Sequence, residues 1–395
     1  MSLRDDKRVR VVGRAWVLGV VIVVVTGVLN VVFLRTTLKK EAFSPERARV
    51  GPASDERLLV FVGGLQRSGT TAAVDAVERL FFSASKQEAR LLNESFVVPR
   101  QGQSKSYFKD VVKSGGLEGK FLQDVYPYKY FLRDWGLGES VLALDVASAT
   151  PEKAQELWRQ WRPFWDVSRR IFIEKTPENI VSGPYFQKLF DGATFEGLRF
   201  RTAFVFVLRH PLPWSLAIEK WLENKHNRKK TTHLRSALEN RVDMWLRVTY
   251  HLFDKDAQLL NRLKVFHAEL ADTDPSLLAK LLDMPLANEN VNDLSFRGYR
   301  DANDAYATCW LHGGTYLSTK KHCQPNMGNK KNRTSDLRRL KLRFETSILA
   351  FGYSMDFEFG DNRNKSLTHS NIRPDAIDPR YRRFFLLPSS DRPFP

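Results

Sequence analysis

An apolar run, Leu58-Leu-Val-Phe-Val62, leads into Gly63-Gly-Leu-Gln-Arg-Ser-Gly-Thr-Thr71, where glycines alternate with hydroxyl side chains and one fixed positive charge. Glycine lets successive backbone N–H groups turn inward around an anion. A helical pattern over 70–82 follows, and a helix start adds unpaired donors and partial positive charge. The expected chemistry is capture of a phosphate- or sulfate-like anion by Gly64, Arg67, Ser68, Gly69, Thr70 and Thr71. From Gly64 the loop reads G-L-Q-R-S-G-T-T, which keeps the glycine spacing of a nucleotide triphosphatase but puts Thr70 at its lysine position. Without that lysine, and with no carboxylate strand to hold Mg²⁺, a kinase or ATPase is disfavoured. A second apolar run, Phe204-Val-Phe-Val-Leu208, ends in Arg209, with Ser215 six residues on. An arginine at a strand's C-terminal end suits bidentate phosphate contact.

These groups need a scaffold that holds loop and arginine side by side. Strand patterns are expected at 57–62, 171–174, 203–208 and 264–267. Helical patterns are expected at 152–162, 213–223, 235–253, 275–283 and 335–350. Strands alternating with helices imply an α/β fold, a parallel β-sheet flanked by helices. Near-continuous apolar strands fit its buried centre.

Taken together, G-x-x-R-S-G-T-T after a strand resembles the 5′-phosphosulfate loop of sulfotransferases that use 3′-phosphoadenosine-5′-phosphosulfate (PAPS). The segment from Phe204 to Ser215 resembles the 3′-phosphate motif of that family. There the serine usually lies eight residues after the arginine, a position held here by Ala217. Glu88, 21 residues after Arg67 and followed by Arg90, resembles the catalytic base of tyrosylprotein sulfotransferases. Glu174-Lys175-Thr176-Pro177 resembles a strand-end E-K-[ST]-P segment of Golgi and bacterial members, and Lys175 would stabilise charge on the bridging oxygen. Glu269-Leu270 and Phe351-Gly-Tyr353 resemble later family landmarks, so the likeness runs in order from about residue 57 to 355. It implies a P-loop-like sulfotransferase fold with PAPS as sulfuryl donor and no metal. Arg67, Lys175 and Glu88 would be catalytic, and the loop, Arg209 and Ser215 would hold the donor. A histidine base, from His210, His226, His233 or His267, stays open beside Glu88.

Residues 15–34 form an uncharged apolar run of the roughly 20 residues a bilayer-spanning helix needs. The expected organisation is a cytosolic tail (1–14), a transmembrane signal anchor (15–34), a stem (35–56), a luminal domain (57–358) and a C-terminal tail (359–395). That layout is a single-pass type II Golgi membrane protein. Three N-x-[ST] sequons, at Asn93, Asn332 and Asn364, fit a luminal glycoprotein. Cys309 and Cys323, the only cysteines, are either a disulfide or two unrelated thiols.

The chain has 395 residues and a net charge of +17, with 43% apolar and 27% charged residues, a globular balance that excludes wholesale disorder. Much of the excess sits in residues 225–241 and 320–343, read either as solvated faces or as the border of an acceptor site for an acidic peptide or glycan. Behind a membrane anchor, nucleic acid is not an expected partner; a homodimer is allowed for. Two other classes stay in view. One is a non-catalytic sulfotransferase-like nucleotide-binding protein. The other is a Golgi glycosyltransferase using Asp272 and Asp274 as a metal site.

Overall fold

A computed structural model describes residues 56–74, 118–127, 143–165, 167, 170–225, 238–269, 309, 314–317, 322–325, 333–356 and 372–387. The expected membrane segment, Glu88, Arg90, the three sequon asparagines, His226, His233 and Asp272–Asp274 lie outside them. Among the described residues no helix is long and apolar enough to cross a membrane.

The chain is an α/β protein built on a mixed, mainly parallel sheet. Strand β1 (Glu56–Gly64) carries no charge from Leu58 onward and is buried there on both faces. It pairs in parallel with β2 (Ile171–Lys175) on one side and with β4 (Leu198–Leu208) on the other. β5 (Leu263–His267) continues in parallel beyond β4. The antiparallel element is β3 (Thr194–Phe195), joined to β4 through Glu196 and Gly197 at φ +51° and +79°. Positive φ at both central residues is the signature of a tight hairpin whose twist matches its strands. A separate hairpin joins β6 (Gly314–Leu317) and β7 (His322–Pro325). Cys309 is disulfide-bonded, and Cys323 on β7 is the chain's other cysteine, so the disulfide reading holds.

Helix α1 (Pro151–Trp161) starts at Thr150, whose side chain caps Lys153 N–H, with proline in the first turn. Its buried residues, Ala154, Leu157, Trp158 and Trp161, fall at helical spacing and make one apolar stripe. With α2 (Gly183–Phe190) that stripe covers one sheet face. Phe61 stacks on Phe186 at 4.7 Å and on Phe204 at 5.4 Å, and Trp161 stacks on Phe190 at 5.8 Å. Three longer helices complete the described part: α3 (Pro211–Lys225), α4 (Leu238–His251) and α5 (Arg333–Leu349).

The C-terminal tail behaves differently from its composition. Residues 372–387 pack, with Tyr381, Phe384, Phe385 and Leu386 buried. Phe385 bridges Val265 in parallel and so occupies the outer edge of β5. Five aromatic and aliphatic side chains within 381–387 supply burial that the surrounding arginines mask in a composition count.

Candidate anion-binding site

Across the sheet the four parallel strands lie in the order β2-β1-β4-β5. The chain leaves β1 to one side for β2 and then crosses back to β4. The order therefore reverses between β1 and β4, and open α/β sheets bind ligands outside the carboxyl ends of the strands at such a point. Loop 63–71 leaves the end of β1, and Arg209 follows the end of β4. Loop and Arg209 therefore meet at the reversal.

Close packing dictates the loop's glycines. A Cβ on Gly64 would lie 2.5 Å from Ser68 Oγ and 2.7 Å from the Val207 carbonyl oxygen. One on Gly63 would lie 2.7 Å from Ile180 N. Gly69 sits at φ +106°, and Arg67, exposed, holds the left-handed region at φ +68°. Ser68 N–H bonds to the Leu65 carbonyl at 2.9 Å, which tightens the turn. Among the described residues, the N–H groups of Gln66, Arg67, Gly69, Thr70 and Thr71 find no acceptor. Ser68 is 1% exposed, and its Oγ, turned toward Gly64, has no hydrogen-bond partner. A buried hydroxyl without a partner is costly, and an oxyanion in the loop would satisfy it.

Three clamps hold the loop. Arg209 Nη1 donates to the Arg67 carbonyl at 2.7 Å, and Trp214 Nε1 donates to the Gln66 carbonyl at 2.8 Å. Gln66 Nε2 donates to Glu178 Oε1 at 2.7 Å. Gly64→Ala should therefore cost about 1–3 kcal/mol, because Val207 belongs to a central strand and cannot retreat. Sulfate affinity should fall about tenfold or more. Thermal unfolding with and without sulfate measures both.

No family model and no curated protein matches the chain. The site is therefore read from its own geometry. Lys175 ends β2 and is 7% exposed, with Nζ 3.0 Å from Glu118 Oε1. Ser215 is fully buried, and its hydroxyl donates to the Pro211 carbonyl at 2.7 Å, one turn back in α3. That proton is spent inside the helix, and Ala217 is buried as well. His210 and His267 are both fully buried. Burial holds each imidazole down at about 4, so both are neutral near pH 7. His210 Nδ1 accepts from Leu212 N–H at 3.2 Å while Nε2 meets the Ser354 carbonyl at 2.9 Å. His267 Nε2 meets the Phe351 carbonyl at 2.8 Å, and its ring stacks on Phe385.

Behind Arg209 stands the carboxyl of Glu269, one of the later landmarks of the resemblance. Glu269 is fully buried, accepts from His210 N–H at 2.7 Å and from Tyr353 Oη at 3.0 Å. Burial pushes it up to about 7, against the pull of those two donors and of the Arg209 charge. In the described part of the basic segment 320–343, three cations pair with carboxylates outside it. Arg339 and Arg343 both pair with Glu239, and Lys341 pairs with Asp356 at 2.6 Å.

Proposed function

We propose that the chain is a PAPS-dependent sulfotransferase that moves a sulfuryl group to a hydroxyl acceptor in the secretory pathway. The observation that carries this reading is the orphaned Ser68 hydroxyl inside a glycine loop at the strand-order reversal, beside a buried arginine. That donor set fits a tetrahedral, fully deprotonated anion, and the missing loop lysine argues against triphosphate hydrolysis.

The donor would supply an activated sulfuryl group on a phosphate that leaves readily. The loop N–H groups, Ser68, Thr70 and Thr71 would hold its phosphosulfate end. Arg67 is the exposed cation of the loop and would stabilise charge gathering on the sulfuryl oxygens. Lys175 would do the same at the oxygen between phosphorus and sulfur. Arg209 pins the Arg67 carbonyl and brings positive charge to the same end of the sheet for the 3′-phosphate. Ser215 would contribute through the start of α3 rather than by its committed hydroxyl proton. The acceptor oxygen forms a bond to sulfur, the bond from sulfur to the phosphate oxygen breaks, and the acceptor proton passes to a general base. Glu88 is assigned that role from its resemblance to the tyrosylprotein sulfotransferase base. Residues 15–34 would anchor the enzyme as a type II Golgi membrane protein with a luminal P-loop-like sulfotransferase domain. The acceptor would be a tyrosine in an acidic peptide or a carbohydrate hydroxyl.

The test is a transfer assay. Full-length protein in detergent, given sulfur-labelled PAPS, should label one acceptor class among acidic tyrosine peptides and sulfated or unsulfated glycans. Tight binding of adenosine 3′,5′-bisphosphate without any labelling would make it a binding protein instead. Failure to bind that nucleotide would overturn the reading.

A further inference from the structure

Between Lys175 and the anion loop runs an unbroken line of side-chain contacts. Lys175 Nζ lies 3.0 Å from Glu118 Oε1, and Glu118 Oε2 lies 2.8 Å from Lys120 Nζ. Lys120 Nζ lies 2.6 Å from Glu178 Oε2, and Glu178 Oε1 accepts from Gln66 Nε2 at 2.7 Å. The line starts at the end of β2 and finishes inside the loop that follows β1. Its second and third members come from 118–120, a segment that presents no motif of its own.

Two features separate this line from an incidental ion pair. First, it is buried: the Lys120 side chain is 1% exposed, Lys175 7%, Glu178 11% and Glu118 18%. Second, the backbone of its short segment is tied to the core. Gly119 N–H donates to Glu174 Oε1 at 2.8 Å, and Trp161 Nε1 donates to the Gly119 carbonyl at 3.0 Å. A Cβ on Gly119 would sit 2.7 Å from Glu174 Oε1, so the approach requires glycine. Glu174 in turn accepts from Thr176 Oγ1 and Asn179 Nδ2, each at 2.5 Å. A fixed backbone therefore presents Glu118 and Lys120 at set positions between two anion-handling elements.

We propose that Glu118 and Lys120 are positioning residues of the transfer site, forming a strut that fixes the Lys175 ammonium and the Gln66 end of the anion loop in one frame. This inference rests on the sulfotransferase reading. The alternative role for Glu118, a general base, fits poorly. Two ammonium groups, on Lys120 and Lys175, outweigh burial and hold its carboxyl below the usual range, so it stays ionised and accepts a proton reluctantly. A carboxylate held that way tethers cations. Misplacing a catalytic group by about 1 Å can cost roughly 10²-fold in rate, which is the scale of effect a tether at this point controls.

The two ends of the strut give different kinetic signatures. Glu118→Gln frees Lys175 while leaving the loop clamps in place, so kcat should fall about 10²-fold with the KM for PAPS within about threefold of wild type. Combined with Lys175→Ala, it should lower kcat no further than Lys175→Ala alone, because the two act as a unit. Gln66→Ala loosens the loop while leaving Lys175 tethered, so the KM for PAPS should rise about tenfold at nearly constant kcat. A loss of folding alone would reduce the active fraction in both variants without separating kcat from KM. A folded Glu118→Gln enzyme with wild-type kcat overturns the inference and leaves the sulfotransferase reading intact. If Glu118→Gln does not fold, Gln66→Ala decides, and an unchanged KM overturns it. A wild-type protein that neither binds adenosine 3′,5′-bisphosphate nor transfers label removes the underlying reading and the strut with it.

Discussion

Arg67→Ala should lower sulfuryl transfer about 10²–10³-fold, and Arg67→Gly should do so equally while folding at least as well. Two properties of one residue are separated by this pair. The side chain is the exposed positive charge of the anion loop. The backbone stands at φ +68°, a region that costs a non-glycine residue roughly 1–2 kcal/mol. Alanine removes the charge and keeps the strain; glycine removes both, at an entropic cost of about 0.5–1 kcal/mol. In neither variant is the Arg209 clamp lost, since it takes the carbonyl of residue 67 rather than its side chain. Loss of a single preorganised charge contact of this type costs about 10²–10³-fold. Steady-state turnover with labelled PAPS reads the side-chain effect, and thermal unfolding reads the backbone effect. Near-normal turnover in Arg67→Ala would remove Arg67 from the chemistry and leave the loop as a binding element alone.

What the sequence displayed of this site was its donors, and what it concealed was their support. Continuous apolar strands and glycine spacing are local signals, so β1, β2, β4 and β5 are legible, as is the loop that leaves β1. The order β2-β1-β4-β5 is not local. It depends on which strand edges pair, and no residue spacing encodes that. The same holds for Gln66, Trp214, Glu118, Lys120 and Glu178. Each is an ordinary polar or aromatic residue in its own segment and gains meaning only from partners up to 148 positions away. Ser215 shows the reverse. Its place after Arg209 advertises phosphate contact, yet at helical spacing the Pro211 carbonyl lies within reach and takes the proton. The tail misleads for a similar reason. Arginine and proline set its composition, but Tyr381, Phe384 and Phe385 set its packing. Glu88 lies outside the described residues, so its role stands on resemblance.

Arg209→Met should be strongly destabilising, and its cost should grow as pH rises through about 7. Arg209 is 3% exposed and connects two things that cannot easily lose it. It donates to the Arg67 carbonyl at 2.7 Å, and its charge acts on Glu269, fully buried beside His210 and Tyr353. Losing the guanidinium leaves the Arg67 carbonyl without its donor, at a cost of about 1–3 kcal/mol. The pH dependence follows from Glu269. Burial raises its folded value to about 7, above the ordinary glutamate range, so it contributes stability that is present below that ordinary range and is lost as pH rises through about 7. Arg209 is one of the groups that pull the carboxyl down. Without it the folded value climbs further, and ionised Glu269 becomes harder to accommodate. The neighbours cannot substitute: burial keeps His210 neutral, and Tyr353, held well above its ordinary range, brings a hydroxyl but no positive charge. Urea unfolding at pH 5, 6, 7 and 8 should show a constant gap between wild type and Arg209→Met at pH 5 and 6, where Glu269 is protonated in both folded proteins, and a widening gap from pH 7 to 8. The double variant Arg209→Met/Glu269→Gln should remove that widening. Adenosine 3′,5′-bisphosphate affinity should fall at least about 10²-fold even at pH 5, where the variant is most stable, because the loop carbonyl has lost its clamp. A pH-independent loss would uncouple Glu269 from Arg209. Unchanged nucleotide affinity would show that the loop holds its anion without the arginine, and would move the 3′-phosphate site elsewhere.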